Sequence, residues 1–187
     1  MVKCIDDNVG KILGSLRKNG LIKKTWIVFT SDHGDLRGEH HRQNKGVPFE
    51  GSAKIAFLLY APGKVRPGTL VHEALSCVDF MPTILPMMGF KPSGQEEGRD
   101  ASLIFTAAHL SIEWNDIAFL RGTGEERGWL AAVTDRYKLV YATRDNPWLF
   151  DLKRDPDEMK NQFLNPDYRE TVKTLSARLK EYGEKYR

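Results

Sequence analysis

Apolar residues near the start of the chain recur at the spacing of a single helical face. Five of them follow one another at offsets of four, three, one and three residues: Ile5, Val9, Ile12, Leu13 and Leu16. Gly20 suits the position after a helix, since glycine readily adopts the left-handed backbone that commonly ends one. The pattern predicts an amphipathic helix over residues 4–19.

Two short apolar runs then predict strands. Residues 25–30 and 54–61 are typical of strands that are buried on both faces of a parallel sheet. Asp79 can cap a helix that runs to Met88, with Pro82 tolerated in its first turn. The order helix, strand, loop, strand, helix indicates an α/β fold.

The composition changes after position 89. Residues 91–100 are rich in Pro, Gly, Ser and Glu, and short strand-like runs follow at 117–121, 129–134, 137–143 and 148–152. Asn165 and Pro166 then open a helix with an apolar stripe, formed by Tyr168, Val172, Leu175, Leu179 and Tyr182. We therefore expect a small antiparallel sheet packed by a C-terminal helix. The predicted division is an α/β part, residues 1–105, and a small α+β subdomain, residues 106–187.

Composition narrows the classes of partner. The chain has 187 residues and a formal net charge of +3, which is too small to indicate a nucleic acid or an anionic membrane as partner. No apolar run approaches the roughly 18 residues that span a bilayer, and Cys4 and Cys77 are too few for a disulfide framework. The first residues lack the apolar core of a signal peptide. A natural start at Met1 therefore predicts a cytoplasmic protein, whereas a signal peptide further upstream would predict a periplasmic or secreted one.

A carboxylate and an imidazole stand directly after the first predicted strand. Ligands of open α/β sheets bind at the carboxyl ends of strands, where Asp32 and His33 are expected to lie. Gly34 would let the backbone approach a ligand closely. The alternative is structural, with Asp32 capping a turn and His33 facing solvent. The strand just upstream favours a functional site, because a polar pair at that end has no packing role.

The loop that follows, residues 36–50, is rich in basic side chains. They are Arg37, His40, His41, Arg42 and Lys45. Beside an oxygen-ligated metal, such groups suit a tetrahedral oxyanion, whose charge is spread over several oxygens. The alternative is an exposed basic loop, and the adjacent His40 and His41 are a weak signal for zinc.

Several motifs occur in the order found in one enzyme family. They are Ile5-Asp6-Asp7-Asn8-Val9-Gly10, Thr30-Ser31-Asp32-His33-Gly34, Gly38-Glu39-His40, Lys45-Gly46, Phe49-Glu50, Pro62-Gly63, Val78-Asp79-Phe80-Met81-Pro82-Thr83-Ile84, and Leu149-Phe150-Asp151-Leu152 with Asp155-Pro156-Asp157-Glu158 and Asn161. Over nearly its whole length the chain thus resembles the C-terminal part of the type I sulfatases, members of the alkaline-phosphatase-like superfamily. The resemblance implies part of an alkaline-phosphatase-like α/β sandwich with a mostly parallel sheet. Residues 1–105 would be the C-terminal part of its catalytic domain.

The resemblance also implies roles for four residues. Asp32 matches the family's metal-ligating carboxylate, and His33 the adjacent position, where it ligates the metal or hydrogen-bonds the sulfate or the nucleophile. Lys45 matches the catalytic lysine that contacts the substrate sulfate, and His40 lies in an element near the substrate pocket. Such enzymes use a divalent cation, usually calcium, and a formylglycine nucleophile made from Cys or Ser. Because calcium prefers oxygen ligands, Asp32 is the firmer metal assignment.

Two parts of the family's site have no match in this chain. The nucleophile motif reads Cys or Ser, any residue, Pro or Ala, any residue, Arg, and neither Cys4 nor Cys77 fits it. The paired metal aspartates after the family's first strand are also absent, since Asp6-Asp7 begins the predicted helix. We therefore expect the N-terminal part of the enzyme to be missing here and to supply the formylglycine. The 187-residue chain alone should be inactive.

The resemblance predicts a sulfuric ester hydrolase that acts on a sulfated small molecule or carbohydrate. One alternative is a phosphodiesterase or phosphonate monoester hydrolase of the same superfamily, in which the same cation and lysine serve phosphate. Another is a non-catalytic remnant of the fold. Residues 91–100 and 115–127 are candidates for the loops that select the substrate alcohol.

Overall fold

A computed structural model of the chain describes residues 2–106, 113–122 and 128–186. The helices are α1 (Val2–Lys18), α2 (Glu50–Ala53), α3 (Phe80–Met87), α4 (Ser102–Thr106) and α5 (Arg169–Lys185). The strands are β1 (Ile27–Thr30), β2 (Phe57–Tyr60), β3 (Ala118–Gly122), β4 (Trp129–Val133), β5 (Tyr137–Ala142) and β6 (Asp145–Asp151). Residues 123–127 of the second candidate specificity loop lie outside the described residues. No helix in the described ranges combines the length and apolar character needed to cross a membrane.

The first predicted helix is confirmed as α1. Gly20 follows it with a left-handed φ of 67°, and the Leu21 amide donates to the Leu16 carbonyl at 2.9 Å, which closes the helix end. No residue of α1 is buried, and Ile12 on its apolar stripe is 61% exposed. Helices gain most of their stability by packing such a stripe on another element. The described part of the chain leaves this stripe open.

The strands β1 and β2 are confirmed, but their predicted surroundings are wrong. They form a two-stranded antiparallel sheet with Ile27 opposite Tyr60, where the sequence predicted strands of a parallel sheet. They are also not buried on both faces, since Leu58 is 64% exposed. An apolar run indicates a tendency to be buried, but it encodes neither strand direction nor the element that covers it. No further strand joins this sheet within the described residues.

The helix α3 is capped further upstream than the sequence predicted. A 3₁₀ turn, Cys77–Asp79, precedes it, and Ser76 caps that turn. The Asp79 carboxylate accepts the Ser76 amide at 3.0 Å, so Asp79 is the second partner of a capping box. It occupies the N-cap position of α3, but its side chain caps no amide of that helix. The same carboxylate binds the Arg99 guanidinium at 3.0 Å. Asp79 therefore anchors the loop that follows α3.

The small antiparallel sheet packed by the C-terminal helix is confirmed. Its strand order is β3-β4-β5-β6, with every neighbouring pair antiparallel. Asn165 caps the last helical segment by accepting the Asp167 amide at 3.1 Å. The stripe of α5 lies on one face of the sheet, in a core that contains Ala132, Leu139, Leu149, Tyr168, Leu175 and Leu179. Alternating strand positions place these sheet residues on the α5 side.

The opposite face of the small sheet packs against the loop that follows β1. Leu36 and Phe49 of that loop form a buried cluster with Phe150 of β6. Trp148, also on β6, stacks on Phe49 with ring centroids 5.3 Å apart. Trp148 therefore packs against this buried cluster. The two predicted units share this interface, and the division between residues 105 and 106 stays a prediction.

Candidate functional site

Asp32 and His33 lie directly after β1, as the sequence predicted. The His33 amide donates to Asp32 Oδ1 at 2.9 Å, and His33 Nε2 lies 3.4 Å from Asp32 Oδ2. Both side chains reach solvent. The turn thus presents a carboxylate oxygen and an imidazole nitrogen side by side at the surface.

The His33 ring has a defined orientation. Its Nδ1 lies 2.8 Å from the carbonyl oxygen of Gly34. Since a carbonyl only accepts hydrogen bonds, Nδ1 carries the proton. Nε2 is then the nitrogen available to a ligand: unprotonated it can bind a cation, and protonated it can donate to an anion. The geometry is compatible with both of the roles expected for His33.

The carboxyl group of Asp32 is held in its ionised form. Its pKa is lowered chiefly by hydrogen bonds from the backbone, first that of His33 and then its own. The positive charges of His33 and Lys45 lower this pKa further. An exposed, ionised carboxylate is a suitable ligand for a hard divalent cation.

Ser52 of α2 fastens the Asp32 turn to the loop that carries Lys45. The Ser52 carbonyl accepts the Gly34 amide at 2.8 Å. The Ser52 hydroxyl accepts the Gly46 amide at 3.1 Å, one residue beyond Lys45. Two segments that lie apart in sequence are therefore held on one short helix. Lys45 itself is exposed, with its side chain free to meet an anion.

His40 packs on the aromatic cluster next to this site. Its ring stacks on Phe49 with centroids 3.8 Å apart and an interplanar angle of 12°. Four non-glycine residues of the loop adopt left-handed φ angles: Arg37, His40, His41 and Asn44. Such conformations cost on the order of 1–3 kcal/mol each and persist where the surroundings hold them. The loop therefore has a defined shape, and Phe49 occupies one face of the His40 ring.

The described residues do not form a complete metal site by themselves. No group of three or more His, Cys, Asp or Glu side chains among them is arranged to hold a metal ion. Asp32 and His33 offer one oxygen donor and one nitrogen donor, whereas calcium takes about six to eight oxygen ligands. Asp32 offers one donor of the kind that calcium binds, and a calcium ion held there would need further donors from outside the described residues.

Comparison with known proteins decides the family. The chain matches the family model described as Sulfatase over residues 1–90. It is 32% identical to an arylsulfatase of Clostridium perfringens over 178 residues, which cover 91% of this chain and 36% of the relative. The chain belongs to the alkaline-phosphatase-like sulfatase family. It corresponds to the C-terminal part of these sulfatases and spans about a third of the length of the curated relatives it matches.

Solved structures agree with the assignment to the sulfatase family. A protein in complex with its substrate D-glucosamine-2-N,6-O-disulfate is 26% identical, with a TM-score of 0.84 over 99% of this chain and 39% of that chain. A phosphonate monoester hydrolase of Agrobacterium radiobacter has a TM-score of 0.83 at 24% identity, over 100% of this chain and 40% of that chain. At 24% identity, the similarity to the phosphonate monoester hydrolase shows a shared fold and no shared activity. The predicted α/β fold class is confirmed.

The C-terminal motif of this sulfatase-family chain holds the scaffold together. Asp151 binds Arg136 at 2.8 Å, Glu158 binds Lys138 at 2.7 Å, and Asn161 Oδ1 accepts a β6 amide at 3.0 Å. Sequence reasoning named Glu158 only as part of the motif, and it missed Lys138. The available signal was a lysine inside the apolar run of a predicted strand, where a solvated side chain is out of place.

Proposed function

We propose that this chain is the sulfate-binding part of a sulfuric ester hydrolase. The observation that carries the proposal is the link through Ser52, which ties the exposed carboxylate of Asp32 and the loop of Lys45 to α2. A sulfate ester is an anion, so attack on its sulfur requires positive charge at the oxygens. Lys45 offers that charge next to a carboxylate that can bind a divalent cation.

Each residue has a separate task in this proposal. Lys45 neutralises a sulfate oxygen as charge builds up during attack. Asp32 gives an oxygen ligand to the cation, and its chemistry favours calcium. Nε2 of His33 hydrogen-bonds the sulfate or the nucleophile, or adds a ligand, and His40 borders the substrate. When bound, the cation and a formylglycine from outside this chain supply the Lewis acid and the nucleophile.

The open apolar face supports a second part of the proposal, that the N-terminal part of a sulfatase packs on it. α1, β1 and β2 line an open groove of about 1820 Å³. This exceeds the roughly 300–1,000 Å³ of small-molecule pockets, so the groove suits a polypeptide. The chain covers 36% of the matched arylsulfatase, and the rest of that fold is an occupant of suitable size. On this basis the 187-residue chain alone hydrolyses no sulfate ester.

The proposed substrate is a sulfated carbohydrate or a related sulfated small molecule. Support comes from the solved structure with a TM-score of 0.84, whose protein holds D-glucosamine-2-N,6-O-disulfate as substrate. The exposed basic side chains around Lys45 are compatible with a substrate of this charge.

The test uses the enzyme in which this chain is joined to the N-terminal part of the fold. Calcium content and aryl sulfate hydrolysis are measured for Asp32→Ala and Lys45→Ala. Lys173→Ala, on the exposed side of α5, is the matched control. We expect Asp32→Ala to lose calcium. Lys45→Ala should keep calcium and lose about 100-fold in kcat/KM, the order found when one charge-stabilising donor is removed.

Each negative result would contradict a different part of the proposal. Full calcium content in Asp32→Ala would contradict the ligand role, and an unchanged kcat/KM in Lys45→Ala would contradict the sulfate role. Faster hydrolysis of a phosphonate monoester or phosphodiester than of the aryl sulfate would favour the alternative hydrolase. No turnover of any of these esters, with no effect of divalent ions on thermal stability, would indicate a non-catalytic remnant.

A further inference from the structure

A lysine ammonium is completely buried between the small sheet and the loop of the proposed site. Lys138 lies on β5 opposite Phe150 of β6, and its side chain is 0% exposed. Phe150 belongs to the cluster that packs on Phe49, so this face of the sheet packs against the loop that carries Lys45. A buried ammonium is costly unless opposite charges and hydrogen bonds compensate it. The partners of Lys138 are therefore informative.

Three oxygens surround the Nζ atom of Lys138. They are Glu50 Oε1 at 2.6 Å, Glu158 Oε1 at 2.7 Å and the Pro48 carbonyl at 2.8 Å. An ammonium carries three hydrogens, so each has an acceptor. The second oxygen of Glu158 accepts the Glu50 amide at 2.6 Å. We call Pro48, Glu50, Lys138 and Glu158 the clamp.

The clamp contains one positive and two negative side chains. Burial raises the pKa of Glu158, and the charge of Lys138 opposes that rise. The neighbouring carboxylate of Glu50 adds to it. Lys138 is thus the charge that offsets the repulsion between the two carboxylates, and its removal would push them apart.

The clamp hydrogen-bonds the main chain between Lys45 and Ser52. It binds a carbonyl oxygen at position 48 and an amide at position 50, three and five residues beyond Lys45. Ser52, two residues further along, holds the amides of Gly34 and Gly46. Both ends of the short segment after Lys45 are therefore fixed to other parts of the molecule. Its position is set by the small sheet as well as by α2.

We infer that Lys138 and Glu158 are positioning residues that set the place of Lys45 relative to Asp32. The inference rests on the proposed function, because Lys45 and Asp32 act on substrate only within it. Apolar side chains of similar volume often stabilise a fold as well as a buried ion pair does. They cannot hold a carbonyl and an amide of the main chain in fixed places, which is what this pair does.

The first experiment follows amide hydrogen exchange in the 187-residue chain and needs no substrate. In Lys138→Met we expect the Gly34 and Gly46 amides to exchange about 100-fold faster, because loss of one partner of a buried ion pair weakens local structure by at least that factor. The amides of α5 and β4 should keep their rates. Lys153→Met, which removes an exposed lysine paired with Asp135, is the control and should change neither amide.

Glu158→Gln keeps the size of the side chain and is the second variant, in case Lys138→Met fails to fold. It removes one charge of the clamp and should accelerate the same two amides. Wild-type rates at Gly34 and Gly46 in a folded variant would overturn the inference.

The second experiment separates positioning from stability in the enzyme that contains this chain. The double variant Lys138→Met with Glu158→Gln replaces the pair by neutral side chains and should recover much of the thermal stability lost in Lys138→Met. Its kcat for an aryl sulfate should stay low, with a smaller change in KM. Recovery of kcat together with stability would overturn the inference. If the unaltered enzyme turns over no sulfate ester, the proposed function fails, and amide exchange still decides whether the clamp holds the loop.

Discussion

The replacement Asp151→Asn tests the small sheet at its most buried carboxylate. Asp151 ends β6, and its side chain is 1% exposed. Arg136 Nη2 donates to Oδ2 at 2.8 Å and Arg136 Nε to Oδ1 at 3.2 Å, while the Tyr168 hydroxyl donates to Oδ2 at 3.2 Å. Asparagine keeps the shape and opens no cavity. It removes the charge and turns an amide group toward a guanidinium that can only donate.

The expected loss is about 2–3 kcal/mol in the free energy of unfolding. Breaking a fully buried ion pair by removing one partner costs about 3–5 kcal/mol. Arg136 is 40% exposed and can turn toward water, which lowers the cost. The hydrogen bond from Arg136 is the main reason that the pKa of Asp151 lies below its ordinary value of 3.8. The stabilisation that the Asp151–Arg136 pair contributes is therefore complete above pH 3.8. It is lost as the pH falls through the lower pKa that Asp151 has in the folded state.

The assay is urea unfolding followed by tryptophan fluorescence, since two of the four tryptophans, Trp129 and Trp148, lie on this sheet. Asp135→Asn is the matched control, because Asp135 pairs with the exposed Lys153 and should cost less than about 1 kcal/mol. A loss below about 0.5 kcal/mol in Asp151→Asn would refute the reasoning. So would a difference between wild type and variant that does not shrink when the pH is lowered from about 7 to about 3.

Two further predictions concern the exposed apolar residues of α1 and β2, and the turn that carries Asp32 and His33. Ile5→Gln and Leu58→Gln, at positions that line the groove and are 51% and 64% exposed, should change the melting temperature of the 187-residue chain little. They should lower that of the enzyme containing the N-terminal part by several degrees, and equal effects in both proteins would contradict the proposed packing. Gly34→Ala should displace the turn, because a Cβ there collides with the carbonyl oxygen of Gly51. Faster hydrogen exchange at the amide of residue 34 would confirm the displacement, and an unchanged exchange rate would contradict it.

Features that depend on neighbouring residues could be predicted from the sequence. Gly20 ends α1 and Asn165 caps the last helix, because each acts on backbone groups within a few residues. The antiparallel order of the small sheet followed from short connections between strands. The direction of β1 did not follow, because it depends on the pairing with β2 about thirty residues away, and its exposure depends on whether another element covers it.

The site was predictable to the extent that its residues stand in local motifs. Asp32 and His33 follow a strand directly, and Lys45 lies on the next loop. The clamp could not be predicted in this way. Lysine is almost never fully buried, and two of the partners of Lys138 lie 90 and 20 residues away along the chain, at Pro48 and Glu158. Only the folded chain brings these groups within hydrogen-bond distance.

The two buried faces of the small sheet limit how members of this family can be recombined. One face is covered by α5 and the other by the loop of Leu36 and Phe49. A chimera could exchange residues 106–187 with those of another member of the sulfatase family. It would keep the α5 side intact, because the sheet and α5 would both come from the incoming segment. It would break the other side unless the incoming sequence brought matches for Lys138, Phe150 and Glu158. The crossover point of such a chimera therefore has to preserve the contact between the small sheet and the loop of Leu36 and Phe49. The composition of the chain around residue 105 is not a sufficient guide.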